Sequence, residues 1–256
     1  MNNISKKVFI SILLITLGYQ ITYSQSLLKK ELKHWDSYLY VGYTIGGTSP
    51  IPLPQEIRKI NSYRPGTNLV AGIDFTRWLN INWGITTGLS IGSKGMTINA
   101  DVKYMNTYLI VGEGDNTGTF SGTFSGKNKT KVNNGYLRIP LLATWQPIEK
   151  WIFYGGPYVS FLLDPEFKGS ASNGYIRNGG PTGEKINVEH ATFDFSDNLR
   201  AIDSGVTIGA RWNYNRHISA VGYFDWGLVP VFPSNFNGIP YKMYNLYFTL
   251  GIAYKL

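Results

Sequence analysis

One regularity constrains this chain more than any other: apolar and polar residues alternate, in blocks about as long as a strand that crosses a bilayer. Successive side chains of a strand point to opposite faces, and a transmembrane strand takes roughly nine to eleven residues. In residues 68–78, Leu69, Ala71, Ile73 and Phe75 fall on one face, against Gly72, Asp74 and Thr76 on the other. Residues 81–92 set Trp83, Ile85, Leu89 and Ile91 against Gly84, Thr86, Gly88 and Ser90. The pattern returns in 136–145, 151–162, 203–213 and 217–228. It is cleanest at the end, where Tyr244, Leu246, Phe248, Leu250, Ile252 and Tyr254 oppose Asn245, Tyr247, Thr249, Gly251, Ala253 and Lys255. With 37–45 at the front there are eight blocks.

The connections alternate short and long. Short ones fall near Leu79-Asn80, at 146–150 and at 213–216; long ones cover 46–66, 93–134, 163–201 and 229–241. Short periplasmic turns and long outer loops belong to transmembrane barrels. The expectation is therefore an all-β fold, an eight-stranded antiparallel transmembrane β-barrel with long extracellular loops. An even strand count places both termini in the periplasm, and the location is the outer membrane. The alternation in 96–111 extends the third and fourth strands beyond the bilayer. The doubled T-F-S-G unit in 117–126 reads as a glycine-rich hairpin tip.

A soluble, lipocalin-like barrel is the rival, with its apolar face turned inward. Composition opposes it. Aromatics make up 15% of the chain, with 18 Tyr and 7 Trp, and charged residues only 16%, below the usual quarter. Aromatic girdles and a lipid-facing wall use that composition; a water-facing surface does not.

The first residues read as an address. Lys6 and Lys7 precede an apolar run from Val8 to Leu17, and Thr22 and Ser24 precede Gln25 as a cleavage site requires. The run is too short to span a bilayer as a helix. Residues 1–24 are thus a signal peptide, 25–36 a periplasmic tail and 37–256 the outer-membrane barrel domain. In the tail, Leu28, Leu32 and Trp35 have helical spacing, which suits either a short interfacial helix or a frayed end.

There is no cysteine, which excludes thiolate metal sites, iron–sulfur clusters and a cysteine nucleophile. The formal charge of +8 becomes +6 without Lys6 and Lys7. The basic residues look scattered along the chain, so nucleic acid is not an expected partner. Membrane lipid and anionic lipopolysaccharide are.

Eight strands leave an interior just wide enough for side chains to fill. Asp74, Arg138, Asp203, Arg211, Asp225 and Lys255 fall on the inward faces. Buried charges must pair, so these six form a lumen charge network that blocks the interior. Asp74, Arg138 and Asp225 should lie at similar heights. An alternative is a proton path or an enzyme site. His217 and Ser219 resemble the His-x-Ser pair of barrel-type lipid A deacylases, but the Glu that follows the pair there has no counterpart after Glu189. His34 and His190 lie in the tail and a loop without partners. No catalytic residue, metal site or cofactor is assigned. The acidic stretch 194–198 lacks the spacing of a calcium loop.

The order of the motifs resembles the PorT-like outer-membrane barrel family of Bacteroidota. Tyr136-Leu137-Arg138-Ile139-Pro140-Leu141-Leu142 leads, followed by Gly155-Gly156-Pro157-Tyr158. Then come Asp203-Ser204-Gly205 with Gly209-Ala210, Tyr223 with Gly227-Leu228, and the closing Gly251-Ile252-Ala253-Tyr254. The resemblance spans about residues 35–256. It implies an eight-stranded barrel and, for the name-giving members, a part in type IX protein secretion. The family's usual Glu is Arg138 here, which alters the inward charge pattern. The leading expectation is a non-enzymatic scaffold or accessory subunit of an envelope complex, with secretion proteins as partners. The alternatives are an adhesin or ligand-binding barrel acting through its loops, and a lipid-modifying esterase.

Overall fold

The computed structural model describes residues 35–111, 118–178 and 182–256. The expected signal peptide and the expected tail up to His34 lie outside the described residues. Eleven strands follow one another: β1 (Trp35–Pro50), β2 (Ile57–Pro65), β3 (Leu69–Trp78), β4 (Trp83–Val111), β5 (Gly118–Ile148), β6 (Trp151–Asp164), β7 (Phe167–Arg177), β8 (Lys185–Asp194), β9 (Ile202–Asn213), β10 (Ile218–Gly227) and β11 (Met243–Lys255). Among the described residues there is no α-helix, only a 3₁₀ turn at Ser196–Asn198.

Eleven strands replace the eight expected, and the strand pairings show why. β1 pairs with β3, β3 with β4, β4 with β5, β5 with β6, β6 with β9, β9 with β10, β10 with β11, and β11 with β1, all antiparallel. That circuit closes, so its strands leave no free edge. They are the eight alternating blocks. The other three strands lie in segments expected to be loops. β2 pairs with the far half of β4, β7 with the far half of β5, and β8 with β7 and with the end of β4. The TFSG repeat is not a hairpin tip; residues 118–126 lie inside β5.

β4 and β5 carry 29 and 31 residues, about three times what a bilayer takes. Their surplus, with β2, β7 and β8, builds a second folded body beyond the barrel, here called the head. It has a hydrophobic core of its own, including Met96, Met105, Leu109, Phe124, Phe167, Phe193, Phe195 and Phe232. Segment 228–242 folds into this core instead of looping free. Phe232 stacks on Phe236 at 4.4 Å and meets Phe167 edge-on at 5.0 Å, and Thr107 donates its hydroxyl to the Gly238 carbonyl. Burial opposes ionisation of Asp194 at the base of the head. The Ser196 hydroxyl and N–H, with Lys168, nonetheless hold its carboxyl below the usual value.

Around the barrel the outward row is apolar. Val41, Ile208 and Ile252 are each more than 60% exposed, a burial state that only a hydrocarbon surrounding makes favourable. About ten residues tilted ~40° give a band ~25 Å tall. At the short-turn end an aromatic collar closes the band. Trp83 stacks on Trp145, Trp145 meets Phe153, and Phe153 stacks on Trp151 at 6.0 Å.

Candidate functional site

Two places hold chemistry: the barrel interior and the outer face of the head. Inside the barrel, the inward phase of each strand converges on the axis, and the charges meet in layers. Lys255 lies 2.6 Å from Asp36 near the short turns. Next, Arg211 pairs with Asp74 at 3.0 Å, and the Tyr223 hydroxyl donates to the same carboxylate at 2.9 Å. Then Arg138 pairs with Asp225 at 3.0 Å, and Thr207 donates to that Asp at 2.6 Å. Nearest the head, Lys94 lies 3.2 Å from Asp203, which also accepts from Tyr158.

All six inward charges expected from the sequence are here, but they do not pair only with one another. Lys94 and Asp36 complete the set, and both were missed. The signal was available: Lys94 continues the phase of Gly84 to Ser90, and Asp36 precedes Tyr38 and Tyr40 in theirs. Arg138 and Asp225 share a layer as expected; Asp74 belongs to the neighbouring layer with Arg211.

Tyrosines fill the space between layers. Tyr38, Tyr40, Tyr136, Tyr154, Tyr158, Tyr223 and Tyr247 are all buried. The Arg211 guanidinium lies 3.7 Å from the Tyr38 ring centroid and 5.3 Å from that of Tyr154. Lys94 lies 5.1 Å from the rings of both Tyr136 and Tyr158. Such contacts strengthen when desolvated, to about 2 kcal/mol. They face Arg211 where its Nε and Nη1 make no hydrogen bond among the described residues. A threonine ladder adds Thr76 to Thr86 at 2.7 Å and Thr86 to Thr144 at 2.6 Å. Between Tyr40, Lys94, Arg138 and Asp225 a cavity of about 40 Å³ remains, room for isolated waters and not for a hydrated path.

The esterase geometry does not form. Ser219 points inward and donates to Asn213 Oδ1 at 2.9 Å. His217 is exposed, and its ring stacks on Tyr254, a member of the outward row. Both residues border the cavity at the short-turn end, but the Ser219 hydroxyl is taken by Asn213 and no hydrogen bond joins it to His217 among the described residues, the contact that activation of a nucleophile requires. His190 is exposed on β8, opposite Ser172.

The head corrects the reading of scattered charge. Residues paired directly across an antiparallel ladder point to the same side. Arg64 opposes Thr97, Thr97 opposes Lys131, and Lys131 opposes Lys168. One step further out Lys129 opposes Asn99, and the next row holds Lys59, Asp101 and Lys127. These six cations share one exposed outer face. Glu166 offsets Lys131 at 3.1 Å and Asp194 offsets Lys168 at 3.8 Å. Among the described residues, Lys127 and Lys129 have no ion pair.

Solved structures similar to the chain include the attachment invasion locus protein Ail of Yersinia pestis, crystallised with the heparin analogue sucrose octasulfate. It is 10% identical, with a TM-score of 0.35, over 87% of this chain and 99% of that one. OprG of Pseudomonas aeruginosa is 12% identical, with a TM-score of 0.31, over 87% and 94%. The outer membrane protease OmpT of Escherichia coli is 14% identical, with a TM-score of 0.27, over 87% and 94%. Likenesses this distant carry no argument about function. No curated protein matches the chain. The family model described as "Outer membrane protein beta-barrel domain" matches residues 23–233, and with its closed antiparallel circuit and lipid-facing wall the chain belongs to that family of outer-membrane barrels.

Proposed function

We propose that this is a non-enzymatic outer-membrane barrel with a blocked lumen, working as a binding platform through its head. The short turns face the periplasm and the head faces outward. The observation that carries this is the head itself: strands β4 and β5 continue far past the apolar band and fold with β2, β7 and β8 around a separate core. A chain that needed only a channel would gain nothing from ordering so many residues at about 1–2 kcal/mol each in backbone entropy. The periplasmic side, by contrast, offers only short turns among the described residues.

The basic outer face of the head supports an anionic partner. Its lowest row, Arg64, Lys131 and Lys168, stands a few residues above Ile91 and Leu137 at the end of the apolar band. That is the level of the phosphates of lipopolysaccharide. A cation near an anionic membrane surface contributes about 1 kcal/mol. Reversing three of them, with Lys127→Glu, Lys129→Glu and Lys131→Glu together, should weaken binding to lipopolysaccharide by about tenfold or more at low salt. Titration of the refolded barrel into lipopolysaccharide micelles measures this, and unchanged binding with an intact barrel would reject the platform reading.

The motif resemblance to the PorT-like family supports a second reading, an accessory subunit of an envelope complex such as a secretion apparatus. In that case the wall or the periplasmic turns carry the contact and the charge reversal leaves it intact.

A further inference from the structure

The barrel wall splits on the head side of the apolar band. The ladder between β1 and β3 runs from Trp35 opposite Arg77 to Tyr43 opposite Leu69 and then stops. Beyond that point β1 continues against β11, to Pro50 opposite Met243, while β2 continues the line of β3 along β4. No ladder joins β1 to β2. Gly46 stands at the divergence with φ of +157°, and a side chain there would strike the Leu246 carbonyl. The last links across the split are Asn68 Nδ2 to the Thr44 carbonyl at 2.9 Å and the Tyr63 hydroxyl to the Gly46 carbonyl at 2.7 Å.

Behind the split lies a cavity of about 290 Å³, at the small end of ligand pockets, which start near 300 Å³. Met96, Ala100 and Val102 of β4 form its floor, and Ile60 and Tyr63 of β2 its lip. Ile60 opposes Ala100 and Tyr63 opposes Ile98, so both point inward, yet they are 47% and 43% exposed. Their exposure is to the cleft. No charged side chain lines the cavity. Its one buried polar atom without a hydrogen-bond partner among the described residues is Asn128 Oδ1, an acceptor. Burial raises the Tyr241 hydroxyl to about 12, so it stays neutral at the cavity wall.

The occupant follows from these features. An added strand is disfavoured, because the β2 edge carries Arg58, Lys59 and Arg64, two register shifts and a terminal Pro65, the devices that protect an edge. A charged ligand would meet no counter-charge and would lose its hydration. A hydrocarbon chain meets neither obstacle. The foot of the split is Tyr43 and Leu69, and Leu69 stands 64% exposed in the lipid-facing row, so the cleft begins where the lipid-facing wall ends. We propose that the β1–β2 cleft binds a single-chain amphiphile with a neutral, hydrogen-donating head, of the fatty alcohol or monoacylglycerol class. The head donates to Asn128 Oδ1 once that amide turns from its buried position toward the cavity, and the chain runs past Ile60 and Tyr63 toward the membrane. This site is separate from the basic surface, which lies on the opposite face of β2 and β4, so either can fail without the other.

Photocrosslinking tests it. The full chain in phosphatidylcholine nanodiscs is irradiated with a monoacylglycerol bearing a diazirine in its chain, and adducts are mapped by mass spectrometry. Saturable labelling at Ile60, Tyr63 and Met96 is expected, competed by unlabelled monoacylglycerol and lost in Ala100→Trp, which fills the floor. Ile60→Trp, on the exposed edge strand, serves as the second variant, with retained heat-modifiable migration as proof of folding. Label spread over the lipid-facing row, or unchanged by Ile60→Trp, overturns the site. Equal labelling by the matching anionic fatty acid overturns the assignment of a neutral head.

Discussion

Arg211 is the most deeply buried charge of the barrel interior among the described residues. Its side chain is fully buried, one Nη reaches Asp74 and the Tyr223 hydroxyl, and its plane lies on Tyr38. Removing one member of such a pair leaves a charge in low dielectric, at a cost of about 3–5 kcal/mol, while replacing both with apolar side chains is often neutral. Arg211→Met should therefore destabilise the refolded barrel by about 3 kcal/mol or more in urea unfolding from lipid vesicles. Asp74→Leu combined with Arg211→Met should recover most of that loss. A single variant as stable as the double would mean that the pair is not desolvated. Most of this network was legible residue by residue, because an inward charge on a strand with one lipid-facing side stands out. Lys94 and Asp36 needed only the strand phase carried one step beyond the bilayer. The tyrosine layers were harder to see, since Tyr serves equally at interfaces, facing lipid or packed inside.

At the level of elements, β1 is the strand on which the wall divides. Gly46 allows it to leave the line of β3 and follow β11, and a branched side chain in that backbone region is strained by about 1–3 kcal/mol. Gly46→Val should lower the unfolding midpoint accordingly and loosen the Gly46-to-Pro50 end of β1. Gly155→Ala, where an added methyl meets nothing within 4 Å, should leave stability nearly unchanged. Equal effects at the two positions would contradict the bend assigned to Gly46. The eight circuit strands were readable because lipid on one side and a polar lumen on the other impose strict alternation. β7 and β8 were not. Lys168 to Gly174 reads K-G-S-A-S-N-G, small and polar on both faces, and only pairing with β5 and β8 makes it a strand. Likewise Lys127, Lys129, Lys131 and Lys168 look dispersed in sequence until the β5–β7 register sets them side by side.

For the whole molecule, the layered charges, tyrosines and residual 40 Å³ cavity fit the proposed division in which the barrel anchors and the head acts. Planar-bilayer recording should show no steady conductance for the refolded protein, and stable large channels would contradict a blocked lumen. The head is a folded body with its own core rather than a set of loops. A head packed around Phe124, Phe167 and Phe195 must open cooperatively before its amides exchange. Hydrogen–deuterium exchange of the barrel in nanodiscs reads this directly. Residues 97–102 of β4, 124–132 of β5 and 168–176 of β7 should exchange as slowly as the strands within the bilayer. Immediate exchange in these three segments, with the membrane rows protected, would contradict it.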